Sequence, residues 1–394
     1  MNLFFIYNRD IHQDDSGASR TIIIRENYLA RQPGIVVYTG FRHLSPVDSR
    51  IIEIPVGKPT VENVRKIVCE KQIDILCVPE GELFAGLAHS AVQGTSCKVV
   101  TEFHNKPGYL LDTLLLEIKV NLLHSGNFLL RFKSLIKYIS YPFYKSYIKK
   151  SNLKRFQEAY LLADKFVQLS PTFFGQYQNL YRLPDAKKMV AIGNPVTFSR
   201  NATIEDVKRK DNIVLIVARL DEKHKRLSLA LKSWVKVEKQ NPSWMLQIVG
   251  TGNDERMYKE MVRRLGLQRV EFEGRQDPEK YYTRASIFLM TSAIEGWGMT
   301  IVEAQQKGCV PIVMDSFTAL HDIIEDGGNG IIVPPDSVDD MSQAIQNLID
   351  DKSKRDIMAL NAIESTERFN IEIIGGQWID LFNSVLLCHE PSKG

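Results

Sequence analysis

Short, mostly apolar runs alternate with amphipathic stretches along the first half of the chain. Such runs are typical of strands that are buried on both faces of a parallel sheet, whereas the stretches between them place apolar residues at helical spacing. Strands that alternate with helices predict a doubly wound parallel sheet, whose ligands bind beyond the carboxyl ends of the strands. The runs are Leu3–Tyr7, Ile35–Tyr38, Ile73–Val78 and Lys98–Phe103, with helices from about Arg20, near 61–71 and near 83–92.

The second half of the chain repeats this alternation. Its strand-like runs are Asn212–Ala218, Trp244–Gly250, Val270–Gly274 and 286–291, and residues 163–170 and 189–195 supply the last two strands of the first half. With 394 residues, the chain is long enough for two domains of ordinary size. The pattern therefore predicts two α/β domains.

The predicted domains are separated by a polar, charged stretch. Residues 197–211 are interpreted as an interdomain linker, because few apolar side chains lie there. The first domain is then 1–196 and the second 212–371. Residues 372–394 contain an amphipathic pattern and predict a C-terminal helix.

Composition indicates a soluble protein of a reducing compartment. Hydrophobic residues make up 44% and charged residues 25% of the chain, as in ordinary globular proteins. The five cysteines are scattered without a Cys-X2-Cys pair, which predicts neither a zinc knuckle nor a disulfide framework. The N-terminus has no basic lead, and no run approaches the ~18 apolar residues of a membrane span. We expect a cytoplasmic protein.

Residues 286–310 carry the strongest candidate chemistry. A buried strand at 286–291 is followed by a loop with Gly296 and Gly298, and a helix begins near Met299. The glycines let the backbone turn tightly, and the N–H groups and positive dipole end of the helix then face the space above the strand. This geometry predicts a phosphate or diphosphate site.

Two carboxylates enclose this segment, Glu295 in the loop and Glu303 in the helix. A carboxylate only accepts hydrogen bonds, so Glu303 suits two vicinal hydroxyls such as those of a ribose. The spacing alone fits equally well two ordinary solvated charges, because pairs of Glu are common.

Four pieces of sequence follow one another here in a specific order. Together they resemble the signature of retaining family-4 glycosyltransferases with the GT-B fold, of the type that acts in bacterial polysaccharide and lipopolysaccharide biosynthesis. In that family the first piece usually reads Glu-Gly-Phe-Gly, and Trp297 here replaces the phenylalanine. The pieces are Glu295-Gly-Trp-Gly-Met299, Glu303-Ala304, Gly308-Cys-Val-Pro311 and Gly327-Gly-Asn-Gly330.

The resemblance covers most of the chain and is strongest in 212–335 and weakest in 1–160. It implies the α/β GT-B fold, with two Rossmann-like, doubly wound parallel-sheet domains facing across a cleft. The C-terminal helix would cross back to the N-terminal domain. The nucleotide-sugar donor would bind mainly to the second domain, and the acceptor would approach from the first.

Two cations follow the first strand of the second domain and suit a diphosphate. Arg219 offers a planar fork and Lys225 a compact charge, although five basic residues crowd 219–226 and could be ordinary loop charges. The family's Arg-Leu…Lys motif favours Arg219 and Lys225, with Lys223 as a substitute for the second. Their charges and the helix N-terminus would stabilise the departing diphosphate.

The resemblance also implies two contacts from the first domain. His104 follows the strand that ends at Phe103 and occupies the place of the family's active-site histidine, near the transferred sugar or its leaving phosphate. A histidine in such a position is otherwise more often structural or merely exposed. Gly17 resembles the glycine loop that approaches the donor phosphates; the alternative is a plain helix start with Ser19 as its cap.

The remaining predicted contacts lie at the strand ends of the second domain. Gly250-Thr-Gly252 lacks the third glycine of the dinucleotide fingerprint, which counts against a dehydrogenase. In the family, Gly274 and the residue after it border the nucleotide base. The predicted catalytic set is His104, Glu295, Arg219 and Lys225; the donor-binding set is Gly17, Arg219, Lys225, Gly250, Gly274, Arg275, Glu295, Gly296, Trp297, Gly298, Met299, Thr300 and Glu303.

Residues 119–155 form a basic segment without Asp or Glu, in which nine Lys and Arg are interleaved with aromatic and aliphatic residues. Such segments bind anionic membrane surfaces, where each cation contributes ~1 kcal/mol. The alternative is a helix pair that packs its aromatics inward and leaves a solvated basic face. Nucleic acid is not expected as a partner, since no recognition motif accompanies the charge. We predict a cytoplasmic protein bound peripherally to the inner face of the cytoplasmic membrane.

Together these features predict a retaining hexosyltransferase that moves a sugar from a nucleotide-diphosphate donor, with uridine the commonest base, to a lipid-linked glycan acceptor. The chain has no Asp-X-Asp motif, so neither a metal nor another cofactor is expected. Two alternatives stay open. A nucleotide-sugar 2-epimerase of the same fold would need no acceptor, and a non-catalytic membrane-associated protein would bind the sugar nucleotide without transfer.

Overall fold

Met1–Gly193 together with the C-terminal segment from Ile374 forms one unit, and Asn194–Ile373 forms a second. The structure is a computed structural model that describes residues 1–13, 15–40, 43–54, 57–124 and 128–387. Each unit is a parallel sheet covered by helices, so the predicted fold class, α/β with two Rossmann-like doubly wound sheets, is confirmed.

The described strands of the first unit form one parallel sheet in the order β5-β3-β1-β6-β7-β8-β9, and β2 pairs with β4 beside it. Apolar side chains of the strands and of α2 and α3 fill the core on one face. The strands are β1 (Asn2–Ile6), β2 (Ile11–His12), β3 (Val36–Gly40), β4 (Leu44–Ser45), β5 (Ile52–Ile54), β6 (Ile75–Val78), β7 (Lys98–Phe103), β8 (Lys165–Gln168) and β9 (Met189–Ala191). The helices are α1 (Gly17–Ala30), α2 (Val61–Glu70), α3 (Gly81–Val92), α4 (Tyr109–His124), α5 (Phe128–Ile139), α6 (Tyr141–Leu162) and α7 (Phe173–Tyr181).

The second unit has a parallel sheet in the order β12-β11-β10-β13-β14-β15. Its strands are β10 (Asp211–Val217), β11 (Met245–Val249), β12 (Val270–Gly274), β13 (Ala285–Met290), β14 (Val310–Met314) and β15 (Ile331–Val333). Its helices are α8 (Ile204–Lys208), α9 (Glu222–Lys225), α10 (Leu227–Gln240), α11 (Glu255–Leu265), α12 (Glu279–Arg284), α13 (Met299–Gln306), α14 (Val338–Asp350) and α15 (Lys352–Ser365), with short 3-10 turns at Thr318–Asp322 and Glu367–Phe369.

In both sheets the direction of chain progression reverses next to the first strand. The reversal lies between β1 and β6 in the first unit and between β10 and β13 in the second. Loops that leave the carboxyl ends of these neighbouring strands diverge to opposite sides, which opens the crevice where ligands of open α/β sheets bind.

The linker predicted at 197–211 needs a correction, because these residues belong to the second unit. Phe198 exchanges hydrogen bonds with the Gln306 side chain, and Val207 on α8 is buried in the core of that unit. Thr203 and Asp206 form a capping box that starts α8. The polar composition concealed two apolar anchors, although a Thr followed three residues later by an acid is itself a helix-start signal.

The C-terminal helix α16 (Ile371–Leu387) groups with the first unit from Ile374 onward. A Cβ atom on Gly375 would lie only 2.2 Å from Cε1 of Tyr28, so glycine lets α16 approach α1 closely. The ring of Trp378 covers the Arg25 guanidinium at 4.6 Å from the ring centroid. The last seven residues, 388–394, lie outside the described part of the chain.

The basic segment folds into α4, α5 and α6, with residues 125–127 outside the described part. Its aromatic and aliphatic side chains do not all pack inward: Phe128 is 82%, Ile139 74%, Phe143 82% and Tyr147 66% exposed. None of the helices in the described ranges combines the length and apolar character needed to cross a membrane.

Candidate functional site

The predicted site residues fall in both units: His104 and Gly17 in the first, and all the others in the second. In the second unit, β10 and β13 are parallel neighbours at the reversal point, so their carboxyl ends lie side by side. The loop after β10 carries Arg219 and α9, and the loop after β13 carries Glu295. The sheet topology therefore brings these two loops together.

Hydrogen bonds fasten the two loops to each other. The Thr291 hydroxyl donates to the Lys225 carbonyl at 2.9 Å, and the Ala293 N–H donates to the His224 carbonyl at 2.7 Å. In addition to these two hydrogen bonds, Lys225 Nζ lies 2.5 Å from Glu295 Oε1, and both side chains are partly buried. The structure thus brings together the predicted cation and the predicted loop carboxylate.

The helix that follows this loop begins as predicted. Gly298 has φ 86°, a left-handed conformation that favours glycine, and α13 starts at Met299. An added Cβ at Gly298 would lie 2.9 Å from Cδ1 of Ile301. A small hollow joins Lys225 to Thr300 in the first turn of α13. Lys225 and the first turn of α13 therefore border the same hollow, of about 10 Å³, at the ends of β10 and β13.

Arg219 lies on the same loop but is more exposed. Its guanidinium contacts Asp221 at 3.2 Å, and 64% of its side chain is accessible. Asp221 also accepts a hydrogen bond from the Lys223 N–H and lies 2.6 Å from Nδ1 of His224. Burial raises the pKa of Asp221, but the hydrogen bond and charge of His224 and the charge of Arg219 outweigh this and lower it. Asp221 and His224 thus organise a loop whose internal bonds sequence reasoning missed.

Two glycines allow the neighbouring strand end to approach the Arg219 loop. An added Cβ would lie 1.9 Å from the Ala218 carbonyl oxygen at Gly250, and 2.2 Å from that of Leu220 at Gly252. Gly250 also has φ 132° and donates its N–H to the Gly274 carbonyl at 2.8 Å. Gly250 and Gly274, both predicted to contact the donor, therefore lie where the backbone joins the ends of β10, β11 and β12. Arg275, directly after β12, is exposed.

Glu303 and Trp297 are directed inward in the second unit. The Glu303 carboxylate is buried and accepts hydrogen bonds from the Thr197 hydroxyl at 2.8 Å and the Tyr282 hydroxyl at 3.3 Å. Trp297 packs edge-on against Phe369, with ring centroids 5.6 Å apart. The ribose contact predicted for Glu303 stays a prediction. The contact predicted for Gly296 stays one also.

In the first unit, His104 lines a cavity of about 440 Å³ at the carboxyl ends of β1, β6 and β7. Its Nε2 lies 3.3 Å from Oε2 of Glu102. Gly17 is the first residue of α1, whose N-cap is Ser16: its side chain accepts the Ser19 N–H at 3.1 Å. The cap is therefore Ser16 and not Ser19.

A buried charge network lies behind His104 and was not predicted. The Arg25 guanidinium pairs with Glu102 and lies 3.3 Å from Glu26, and Glu26 accepts a hydrogen bond from the Tyr7 hydroxyl. Burial and then the charge of Glu102 raise the pKa of Glu26 well above its usual value. Burial also raises the pKa of Glu102, but the Arg25 charge and the contact with His104 lower it to about 2. Glu102 is therefore the ionised partner of Arg25.

The acidic residues at Glu80 and Glu82 were also missed, although both follow the buried strand β6 directly, where a parallel sheet places functional side chains. In the described ranges no group of three or more His, Cys, Asp or Glu is arranged to hold a metal ion.

A family model described as glycosyl transferases group 1 matches residues 198–365. The chain carries a glycosyltransferase group 1 domain. This match contains Arg219, Lys225, Glu295 and Glu303, and it coincides with most of the second unit. The resemblance inferred from the sequence is confirmed as far as a glycosyltransferase of the GT-B type, while family 4 and the retaining mechanism stay predictions.

Curated relatives resemble part of the chain. The exopolysaccharide phosphotransferase of Streptomyces coelicolor is 28% identical over 165 residues, which is 41% of this chain and 18% of that protein. Campylobacter jejuni has a GalNAc-alpha-(1->4)-GalNAc-alpha-(1->3)-diNAcBac-PP-undecaprenol alpha-1,4-N-acetyl-D-galactosaminyltransferase that is 24% identical over 213 residues, or 54% of this chain and 59% of that enzyme. The chain thus spans well under two thirds of either relative.

Solved structures match the whole chain. Anabaena HepE in complex with UDP is 16% identical, covers 98% of this chain and 100% of its own, and gives a TM-score of 0.68. This likeness establishes the GT-B fold.

Proposed function

We propose that the protein is a retaining, metal-independent glycosyltransferase that moves a sugar from a UDP-sugar to a lipid-linked glycan during bacterial surface-polysaccharide synthesis. One observation carries the donor half of this proposal. Lys225, Glu295 and the N-terminus of α13 meet at the reversal point of the sheet in the group 1 domain. This is where open α/β sheets bind nucleotides.

The chemistry of this meeting point suits a leaving diphosphate. An ammonium and a helix N-terminus stabilise negative charge, and Arg219 on the same exposed loop adds a second, bidentate cation. Charge develops on the diphosphate as the bond to the sugar breaks, so preorganised cations lower the barrier. In the resting protein Glu295 neutralises Lys225; on donor binding it would turn to the hydroxyls of the transferred sugar.

The finer parts of the proposal rest on the motif pattern and on the relatives. The Glu-X7-Glu pattern resembles retaining enzymes, the absence of Asp-X-Asp supports metal independence, and HepE was crystallised with UDP. The name of the Campylobacter enzyme gives an acceptor linked to undecaprenyl diphosphate. A lipid-linked acceptor also fits the exposed basic segment.

Donor binding is tested by thermal unfolding with UDP-, GDP- and ADP-sugars in the presence of EDTA. A ligand at 100 times its dissociation constant adds about 2.7 kcal/mol, which raises the midpoint of a unit of this size by roughly 5–10 °C. We expect this for a UDP-sugar. No shift with any sugar nucleotide would contradict the proposal, and conversion of a sugar nucleotide to its 2-epimer without acceptor would favour the epimerase.

We further propose that the basic segment holds the protein on the inner face of the cytoplasmic membrane. Lys145, Lys149 and Lys150 are exposed on the same helix as Phe143 and Tyr147. Side chains of this kind enter the interface of a bilayer while the lysines contact anionic headgroups.

Reversal of two charges in this segment is expected to weaken vesicle binding. Each cation contributes ~1 kcal/mol near an anionic surface, so Lys137→Glu with Lys149→Glu should lower partitioning onto phosphatidylglycerol vesicles at least ~10-fold in sedimentation. The matched control is Lys239→Glu with Lys354→Glu, two exposed lysines of the second unit. Equal binding by the two double variants would contradict the membrane proposal.

A further inference from the structure

The cavity of the first unit lies where the topology of its sheet predicts a ligand. Arg9 follows β1, Glu80 and Glu82 follow β6, and His104 follows β7, so the wall is built from three neighbouring strand ends that span the reversal point. The volume of about 440 Å³ falls within the ~300–1,000 Å³ of small-molecule sites.

Polar atoms of this wall lack partners. Glu80 Oε2 and Nδ1 of His104 are buried without a hydrogen-bond partner among the described residues, whereas Nε2 of His104 lies 3.3 Å from Glu102. Glu80 occupies the N-cap of α3, yet its side chain makes no capping hydrogen bond. Buried polar groups in folded proteins are almost always paired, so these atoms are placed for a ligand that donates and accepts hydrogen bonds.

Acids and cations both line the wall, but two of the cations have carboxylate partners of their own. Lys106 pairs with Asp112 at 2.5 Å, and Arg9 lies 3.8 Å from Asp15. The negative charge of Glu82 disfavours ionisation of Glu80. Burial, and then the charge of Glu82, raise the pKa of Glu80 to about 7, against the opposing effect of Arg9.

Glu82 shares this environment. Burial raises its pKa, whereas Arg155 and His104 act in the opposite direction. Near neutral pH the Glu80 carboxyl exchanges between its protonated and ionised forms, so it can both donate and accept hydrogen bonds. An anionic group beside the ionised carboxylates would meet repulsion, which Arg155 and His104 on this wall offset only in part.

Aromatic rings form another part of the wall. Phe103, Phe156, Tyr177 and Tyr181 pack into one cluster, with Phe156 stacked on Tyr181 at 4.0 Å between centroids. A largely apolar lining with a few convergent polar groups is the usual construction of a small-molecule site.

We propose that this cavity binds the terminal pyranose of the acceptor, that this sugar is uncharged, and that Glu80 and Glu82 bind its hydroxyls. The inference rests on the proposed function, since it makes the cavity the acceptor side of the transfer reaction. Glu80 and Glu82 are then residues that determine acceptor specificity by rejecting uronic acids and phosphorylated sugars.

The test measures binding without any donor. Uncharged methyl pyranosides of glucose, galactose and N-acetylglucosamine are compared with methyl glucuronide by saturation-transfer NMR on the full chain. We expect at least one uncharged glycoside to bind, with methyl glucuronide at least ~10-fold weaker. Equal or tighter binding of the glucuronide would overturn the inference, as would the absence of binding by every glycoside.

Variants assign the binding to the two acids. The double variant Glu80→Ala with Glu82→Ala should bind the glycoside at least ~10-fold more weakly than wild type. Glu80→Gln with Glu82→Gln, which keeps the shape of the wall, should also lower the affinity. The matched control is Glu62→Ala with Glu70→Ala on the exposed side of α2, which should bind as wild type does. Wild-type affinity in both cavity variants would contradict the assignment.

The two proposals fail separately. Glycoside binding without any response to sugar nucleotides would support the carbohydrate site and contradict the proposal that the protein is a glycosyltransferase. Thermal stabilisation by a UDP-sugar without glycoside binding would support the proposed donor site and contradict the acceptor-sugar site.

Discussion

Lys225→Met is expected to slow sugar transfer roughly 10²- to 10³-fold, equivalent to ~2.7–4 kcal/mol of transition-state stabilisation. Methionine keeps much of the length of the side chain but removes the ammonium that lies 2.5 Å from Glu295. If that charge acts on the departing diphosphate, its loss lowers kcat more than it raises KM for the donor. Steady-state kinetics with a UDP-sugar and the natural acceptor measure both.

The neighbouring lysine provides the control. Lys223 lies on the same short helix, two positions earlier, and is exposed. Lys223→Met should change kcat less than about 2-fold, since an exposed charge in water contributes little. A larger loss of kcat in Lys223→Met than in Lys225→Met would mean that Lys223, and not Lys225, stabilises the leaving diphosphate. Full activity of both variants would mean that neither lysine stabilises the leaving group.

Arg25→Met is expected to destabilise the first unit by about 3–5 kcal/mol, the usual cost of leaving one member of a buried ion pair alone. Arg25 and Glu102 are both almost completely buried, and methionine also removes the guanidinium that lies over the rings of Phe5 and Trp378. Urea unfolding at neutral pH measures the difference. The control Arg31→Met breaks an exposed pair with Asp48 and should cost at most ~1 kcal/mol.

The pH dependence identifies the cause. The pKa of Glu102, about 2, lies below the ~4.3 of an exposed glutamate, so its ionisation stabilises the native state at neutral pH. That contribution is lost as the pH falls from about 4.3 toward 2. The difference in unfolding free energy between wild type and Arg25→Met should therefore become smaller in acid. At neutral pH, adding Glu102→Gln to the Arg25→Met variant should restore part of the lost stability. A gap that is constant with pH would indicate lost packing instead.

The local structure of the proposed donor site was largely predictable because its parts are local in sequence. Strand, glycine loop and helix follow one another between Ser286 and Gln306, and the structure keeps that order. The choice between Lys223 and Lys225 was not predictable from spacing. It depends on the bonds from Thr291 and Ala293, which turn α9 so that Lys225 meets Glu295.

The network around Arg25 could not have been read from the sequence. Arg25 and Glu102 are 77 positions apart, and Trp378 comes from the far end of the chain. Each looks like an ordinary helix or strand residue until the sheet and α16 bring them together. The same holds for the aromatics of the basic segment, since an amphipathic helix pair gives no sign of which face is covered.

Trp378 over Arg25 has a consequence for how the protein is made. Residues from both ends of the polypeptide complete the first unit, and Asn194–Ile373, a stretch of 180 residues, lies between them. At ~5–20 residues per second, a ribosome needs roughly 10 to 35 s to translate that stretch. During this interval Trp378 does not yet cover Arg25 in the nascent N-terminal half, so this half reaches its native packing only after α16 has been synthesised.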